Sequence, residues 1–158
     1  NLFSQNYPDS VLLTGSIYNN RSTVKKAKIN IYDNNKKIKT IEVKSSNRFK
    51  AYLPINSYIT IEITAPEFHN KRFAFDSHVP ADLKKIPSYD FDMDIFSEEE
   101  LKGVNTSLLD FPIGLVDYNE RKKEFLRNKE YTKKMKKRYL DLLEEAVMVE
   151  RAAQSNDE

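Results

Sequence analysis

The chain has 158 residues, long enough for one ordinary domain and an appendage, and its 39% hydrophobic and 11% aromatic content suffices to build a core. Twenty-six basic residues against 24 acidic ones leave a net charge of +2, which excludes the global field of a general nucleic-acid binder. The absence of cysteine removes disulfides, thiolate nucleophiles and every Cys-containing metal centre, and no run approaches the ~18 consecutive apolar residues of a transmembrane helix.

Asn1-Leu2-Phe3-Ser4-Gln5 is short and mildly apolar, as the tail of a cleaved secretory signal would be, and points to export. From Val11 to Ser77 apolar and polar residues alternate in short segments separated by polar turns, the pattern of antiparallel strands with one buried face. The predicted strands are Val11–Tyr18, Ala27–Tyr32, Lys37–Val43, Phe49–Leu53, Tyr58–Ile63 and Lys71–Asp76. Asn19-Asn20-Arg21-Ser22 and Asp33-Asn34-Asn35-Lys36 supply turns, Asn47 tolerates the positive φ of a third, and Pro54 ends the fourth strand. Six or seven strands at this spacing predict a sandwich.

These residues carry a resemblance. The order Leu-Thr-Gly-Ser-Ile-Tyr (residues 13–18), Ala-Lys-Ile-Asn-Ile-Tyr-Asp-Asn, Ile-Lys-Thr-Ile-Glu-Val, Asn-Arg-Phe-Lys-Ala-Tyr-Leu-Pro and Tyr-Ile-Thr-Ile-Glu-Ile-Thr-Ala-Pro-Glu-Phe resembles a carboxypeptidase regulatory-like domain over about the first half of the chain. The resemblance implies a transthyretin-like sandwich used as an adhesive or spacer module. It also implies that Gly15 opens the first strand pair, Phe49 plugs the sandwich, and Tyr58 begins a strand leading into a loop. The family usually has a glycine just before the phenylalanine, where Asn47-Arg48 stands here, and a Gly-Tyr where Glu67-Phe68 stands. The Lys/Asn/Ile/Tyr-rich composition is similar to that of Bacteroidota-type envelope proteins, which include parts of the type IX secretion and gliding apparatus.

From Val79 to Asn128 the regularity breaks at Pro80, Pro87 and Pro112, and Tyr89–Phe96 and Ile113–Tyr118 alone read as strands. Leu108, Leu109, Phe111, Ile113, Leu115 and Val116 argue that this stretch packs on the sandwich or along a partner. From Lys129 to Gln154 good helix formers follow an Asn128 suited to capping. Met135, Tyr139, Leu142, Ala146, Val149 and Ala153 recur at spacings of four and three, an a/d seam, with Leu140, Leu143 and Val147 as a second stripe.

Charge along this helix is inverted with respect to its macrodipole. Ten basic residues stand against three acidic ones between Asn119 and Arg138, and one against six from Tyr139 to Glu158. Antiparallel pairing with a second copy or a partner would exploit that order, with Lys133, Lys137, Glu144 and Glu150 flanking the seam residues Met135, Tyr139, Leu142, Ala146 and Val149. The alternatives are a seam packed on the chain's own sandwich, or a peripheral membrane contact of the Lys133–Arg138 region; a nucleic-acid partner is not expected.

Asp90, Asp92 and Asp94 share one strand face, but span about 13 Å, too far for one calcium ion. His69 and His78, with Glu67 and Asp76, fit no standard metal spacing, and no nucleophile elbow, phosphate loop or paired-carboxylate signature occurs, so neither an enzyme nor a cofactor is expected. Asp9-Ser10-Val11 matches the short O-glycosylation acceptor of Bacteroidota and names Ser10; the sequons at Asn20 and Asn105 matter only in a eukaryotic secretory pathway.

The chain is therefore expected to be mainly β, a transthyretin/immunoglobulin-like antiparallel β-sandwich over residues 9–78, an irregular extension over 79–128 and an amphipathic helix over 129–154. The expected function is a non-enzymatic, exported scaffold or accessory subunit of a periplasmic or cell-envelope assembly, docking through the helix. A glycan- or peptide-binding sandwich, using tyrosines such as Tyr18, Tyr32, Tyr52 and Tyr58, is the rival.

Overall fold

A computed structural model describes residues 9–44 and 48–156. The signal-remnant reading of Asn1–Gln5, the turn at Asn47 and the terminal acids Asp157 and Glu158 lie outside the described residues. The protein is mainly β, a sandwich of two sheets followed by one C-terminal helix.

Alternation builds the first half as expected. β1 (Ser10–Asn19) turns through Asn20 and Arg21, both at positive φ, into the two-residue β2 (Ser22–Thr23). β3 (Lys28–Asp33) and β4 (Lys36–Glu42) form a hairpin around Asn34 and Asn35, also both at positive φ, the geometry whose twist matches paired strands. β5 (Arg48–Pro54), β6 (Tyr58–Thr64) and β7 (Lys71–Asp76) follow. Phe49, Ala51 and Leu53 point inward from β5, and Ile59, Ile61 and Ile63 from β6. Each such side chain contributes roughly 1.5–3 kcal/mol when fully buried.

The segment after Val79 is less irregular than its prolines suggest, because it delivers strands to both sheets. β8 (Tyr89–Asp94) lies parallel to β1, in register from Leu13 against Tyr89 to Tyr18 against Asp94. β9 (Pro112–Asn119) lies parallel to β7, and β10 (Glu124–Arg127) closes back on β9. The remaining pairings are antiparallel.

The two sheets differ in width. The larger runs β10-β9-β7-β6-β3-β4. In the smaller, β5 and then β2 pair along one edge of β1 and β8 along the other, so that sheet is three strands wide. Gly15 marks where its strands crowd together. A Cβ there would stand 2.9 Å from the Phe49 ring and collide with the Phe91 carbonyl, and Phe49 and Phe91 themselves meet edge to face at 5.2 Å.

Helix α1 spans Lys129–Asn156. Asn128 caps it, its Oδ1 accepting the Tyr131 N–H at 3.0 Å. Tyr131 in turn donates its hydroxyl to the Pro112 carbonyl, tying the first turn to β9.

Candidate functional site

Where the wide sheet outruns the narrow one, a cleft of about 450 Å³ opens between β8, β9 and α1. Its floor is apolar: Phe73 from β7, and Phe91 and Met93 from β8. Consecutive residues of β8 and β9 line it, so backbone as well as side chain faces the space. The β7–β9 register shifts by one residue between Arg72 and Ala74, a bulge at the level of Ile113 and Gly114. A Cβ on Gly114 would meet nothing within 4 Å.

Lys71 opens β7 on the inward face it shares with Phe73 and Phe75, and is only 7% exposed. Its Nζ donates to the Asp94 carbonyl at 2.5 Å and to the Tyr139 hydroxyl at 3.2 Å. It also stands over the Tyr139 and Phe96 rings, 5.0 and 5.9 Å from their centroids. Burial pulls its pKa down to about 8; the Asp94 carboxylate opposes that fall and Arg127 adds to it. Burial, then the carboxylates of Asp94 and Glu100, hold the Tyr139 hydroxyl well above its ordinary range. Tyr139 therefore stays protonated, and the pair offers donors against an apolar wall. Thr132, also lining the cleft, has a buried Oγ1 without a hydrogen-bond partner.

The seam, read above as pairing with another chain or packing at home, is in large part covered by its own chain. Met135 and Leu142 are 6% and 5% exposed. Leu142 packs with Leu101 and Leu109, and Tyr139 and Ala146 lie against the same cluster with Phe96 and Val104. Val149 abuts Gly103, which takes a φ of +78°. The physical reason is supply: the stretch 96–109 carries the apolar surface the seam needs, already tethered to it. Lys133, Lys137, Glu144 and Glu150 point to solvent, as do the other basic residues of the Lys133–Arg138 region. Leu140, Val147 and Met148 remain exposed on the helix's outer side. No helix among the described residues is long and apolar enough to cross a membrane.

The other candidates are dispersed. Tyr18 and Tyr52 belong to the narrow sheet and Tyr32 and Tyr58 to the wide one, so they form no shared platform. Ser10 is half-buried at the start of β1. Asp90, Asp92 and Asp94 face outward from β8; Asp90 accepts from Thr14 Oγ1 at 2.5 Å and Arg48 at 2.9 Å. The Thr14 hydroxyl, ahead of Arg48, holds the Asp90 carboxyl below the usual range. His78 pairs with Asp76 at 2.6 Å, while His69 Nε2 is buried without a partner. Among the described residues no three His, Asp or Glu side chains are grouped to hold a metal ion.

Lys71, Arg127, Phe96 and Gly114 were not singled out by sequence. The signal for Lys71 was its parity with Phe73 and Phe75, which places a charge on a core face.

No family model matches the chain, and no curated protein matches it. Among solved structures it is similar to one titled "Crystal Structure of S.CueP", with a TM-score of 0.41 and 12% identity. The overlap covers 55% of this chain and 64% of that one, so the chain spans less than two thirds of that protein's length.

Proposed function

We propose that the protein is a non-enzymatic binding module of an exported cell-envelope assembly, and that the cleft between β8, β9 and α1 receives a peptide ligand. The observation that carries this reading is the cleft itself: about 450 Å³, apolar at its floor, with a few placed donors and an uncovered strand backbone along one wall. Membership of the carboxypeptidase regulatory-like domains belongs to the same proposal. The packing of Gly15 under the Phe49 ring supports it, as does the two-sheet architecture.

The scaffold reading survives in altered form. Docking through the seam would require α1 to leave its own chain, but Leu140, Val147 and Met148 give the acidic half of the helix an exposed apolar stripe of its own.

An apolar fluorescent dye, 8-anilinonaphthalene-1-sulfonate, tests the cleft. Gly114→Leu adds a side chain into open space, so the folded variant should lose the dye fluorescence that the parent protein shows. Equal fluorescence from both would remove the cleft from consideration.

A further inference from the structure

We infer that the ligand of this cleft is an extended peptide that joins the narrow sheet as an added strand along the outer edge of β8, presenting apolar side chains inward and a basic one outward beside Asp92. This deepens the reading of the cleft as a binding site and rests on it.

Four observations lead there. First, among the described residues β8 has β1 as its only strand neighbour, so one row of its backbone groups has no ladder. Second, the direction of that row is fixed. The Ile95 N–H donates to the Tyr18 carbonyl and the Ile95 carbonyl accepts from Asn19, both toward β1. The Asp94 carbonyl turns the other way, to Lys71. Alternation then sets the N–H and C=O groups of Asp90 and Asp92 on the same outer edge as Asp94. Third, the wide sheet continues through β9 and β10 opposite this edge, so a strand added beside β8 would lie over sheet that is already present, with Gly114 leaving room beneath it.

The fourth observation is charge. Asp90, Asp92 and Asp94 line the outward face, and a strand edge carrying charges is one that does not pair indiscriminately. Asp90 is engaged by Thr14 and Arg48, and Asp94 lies in the field of Lys71. Asp92 is exposed with no hydrogen bond or ion pair among the described residues. A lysine or arginine directly across from it on an incoming strand would supply the missing partner, and an acidic residue there would be repelled. Main-chain hydrogen bonds would give the affinity, and alternate side chains the selectivity.

The test uses the whole chain and four fluorescent octapeptides: alternating valine and lysine, alternating valine and glutamate, and the valine–lysine sequence N-methylated at every second amide in each of the two possible registers. The valine–lysine peptide should bind, and should slow exchange of the Asp90, Asp92 and Asp94 amide protons at least ~tenfold. The better of its two N-methylation patterns should weaken binding at least ~tenfold, because the methyl group removes donors to the edge. Asp92→Lys should transfer the preference to the valine–glutamate peptide. Binding of both N-methylated peptides as tight as that of the unmethylated one, or binding without protection of those amides, would overturn the strand-addition proposal. Dye bound in a Gly114-dependent manner with no peptide bound would also overturn it while leaving the cleft as a site for a different ligand. Loss of that dye dependence would remove both.

Discussion

The ammonium of Lys71 lies 3.2 Å from the hydroxyl of Tyr139, joining the inward face of the sandwich to the C-terminal helix across 68 residues of sequence. The contact is one of the ties that hold the helix against the sandwich at this level. A charged amine on a core face must be satisfied, and the Tyr139 hydroxyl and the Asp94 carbonyl are what satisfy it.

Lys71 gives the stability of the protein a particular dependence on pH. Burial sets its folded pKa near 8, below the unfolded value of 10.5, so between those values the unfolded chain holds a proton that the folded one has released. Stability should therefore rise with pH from about 8, by up to about 1.4 kcal/mol per pH unit. Above pH 10 the raised Tyr139 acts in the opposite sense, because the unfolded tyrosine ionises first. Urea unfolding between pH 7 and 10 should show the rise in the parent protein and a flat profile in Lys71→Met. A parallel slope in both would mean that the amine is solvated.

Gly15 is held between two strands. Gly15→Ala would push a methyl group against the Phe49 ring and the Phe91 carbonyl, in a core already closed by the Phe49–Phe91 and Phe73–Phe91 ring contacts. Overpacking at such a point should cost about 3 kcal/mol, read as a lower urea midpoint with an unchanged denaturant slope. Because β8 bears the strain, its amides should lose exchange protection before those of β6.

The sequence disclosed most where one face of a strand is buried by its own neighbours. Val11 to Asp76 could be read because alternation is local, and Asn34-Asn35 because a two-residue turn with both residues at positive φ is local too. The positions of β8 and β9 were readable, but their parallel partners were not, since no short-range signal pairs Leu13 with Tyr89 or Phe75 with Val116. The helix seam was equally plain, yet what covers it depends on Leu101 and Leu109 finding Leu142 from a stretch with almost no periodicity. The cleft was hidden for a related reason. It arises from the unequal width of two sheets, a property no single segment carries.

Across the outer face of the wide sheet, Thr40, Asn30, Glu62 and Arg72 form a cross-strand row. Glu62, 5% exposed, accepts from Asn30 at 3.0 Å and from the Arg72 Nε at 2.8 Å. Arg72 carries the row on to the Asp110 carbonyl in the 3-10 turn Ser107–Asp110. Glu62→Ala would leave the Asn30 amide and the Arg72 Nε without their acceptor, at a cost of about 3 kcal/mol. Glu62→Gln, which can still accept from Asn30, should cost about half as much; thermal unfolding of the two variants side by side checks the order.

The helix offers the clearest contrast between what a seam resembles and what it does here. Leu142 is 5% exposed and buried against Leu101 and Leu109, so Leu142→Ala should lower stability by about 2–4 kcal/mol without any change in oligomeric state. Leu142→Asp with Ala146→Asp should release the second half of α1, seen as loss of helical circular dichroism and of protection at Leu101 and Leu109. The sandwich, whose own cluster from Val11 to Phe125 is separate, should remain folded. Light scattering distinguishes the two outcomes: a parent monomer with an unseated helix in the double variant follows from intramolecular packing. A parent dimer that the same substitutions turn into monomers with helix content intact would return the seam to an interface between chains.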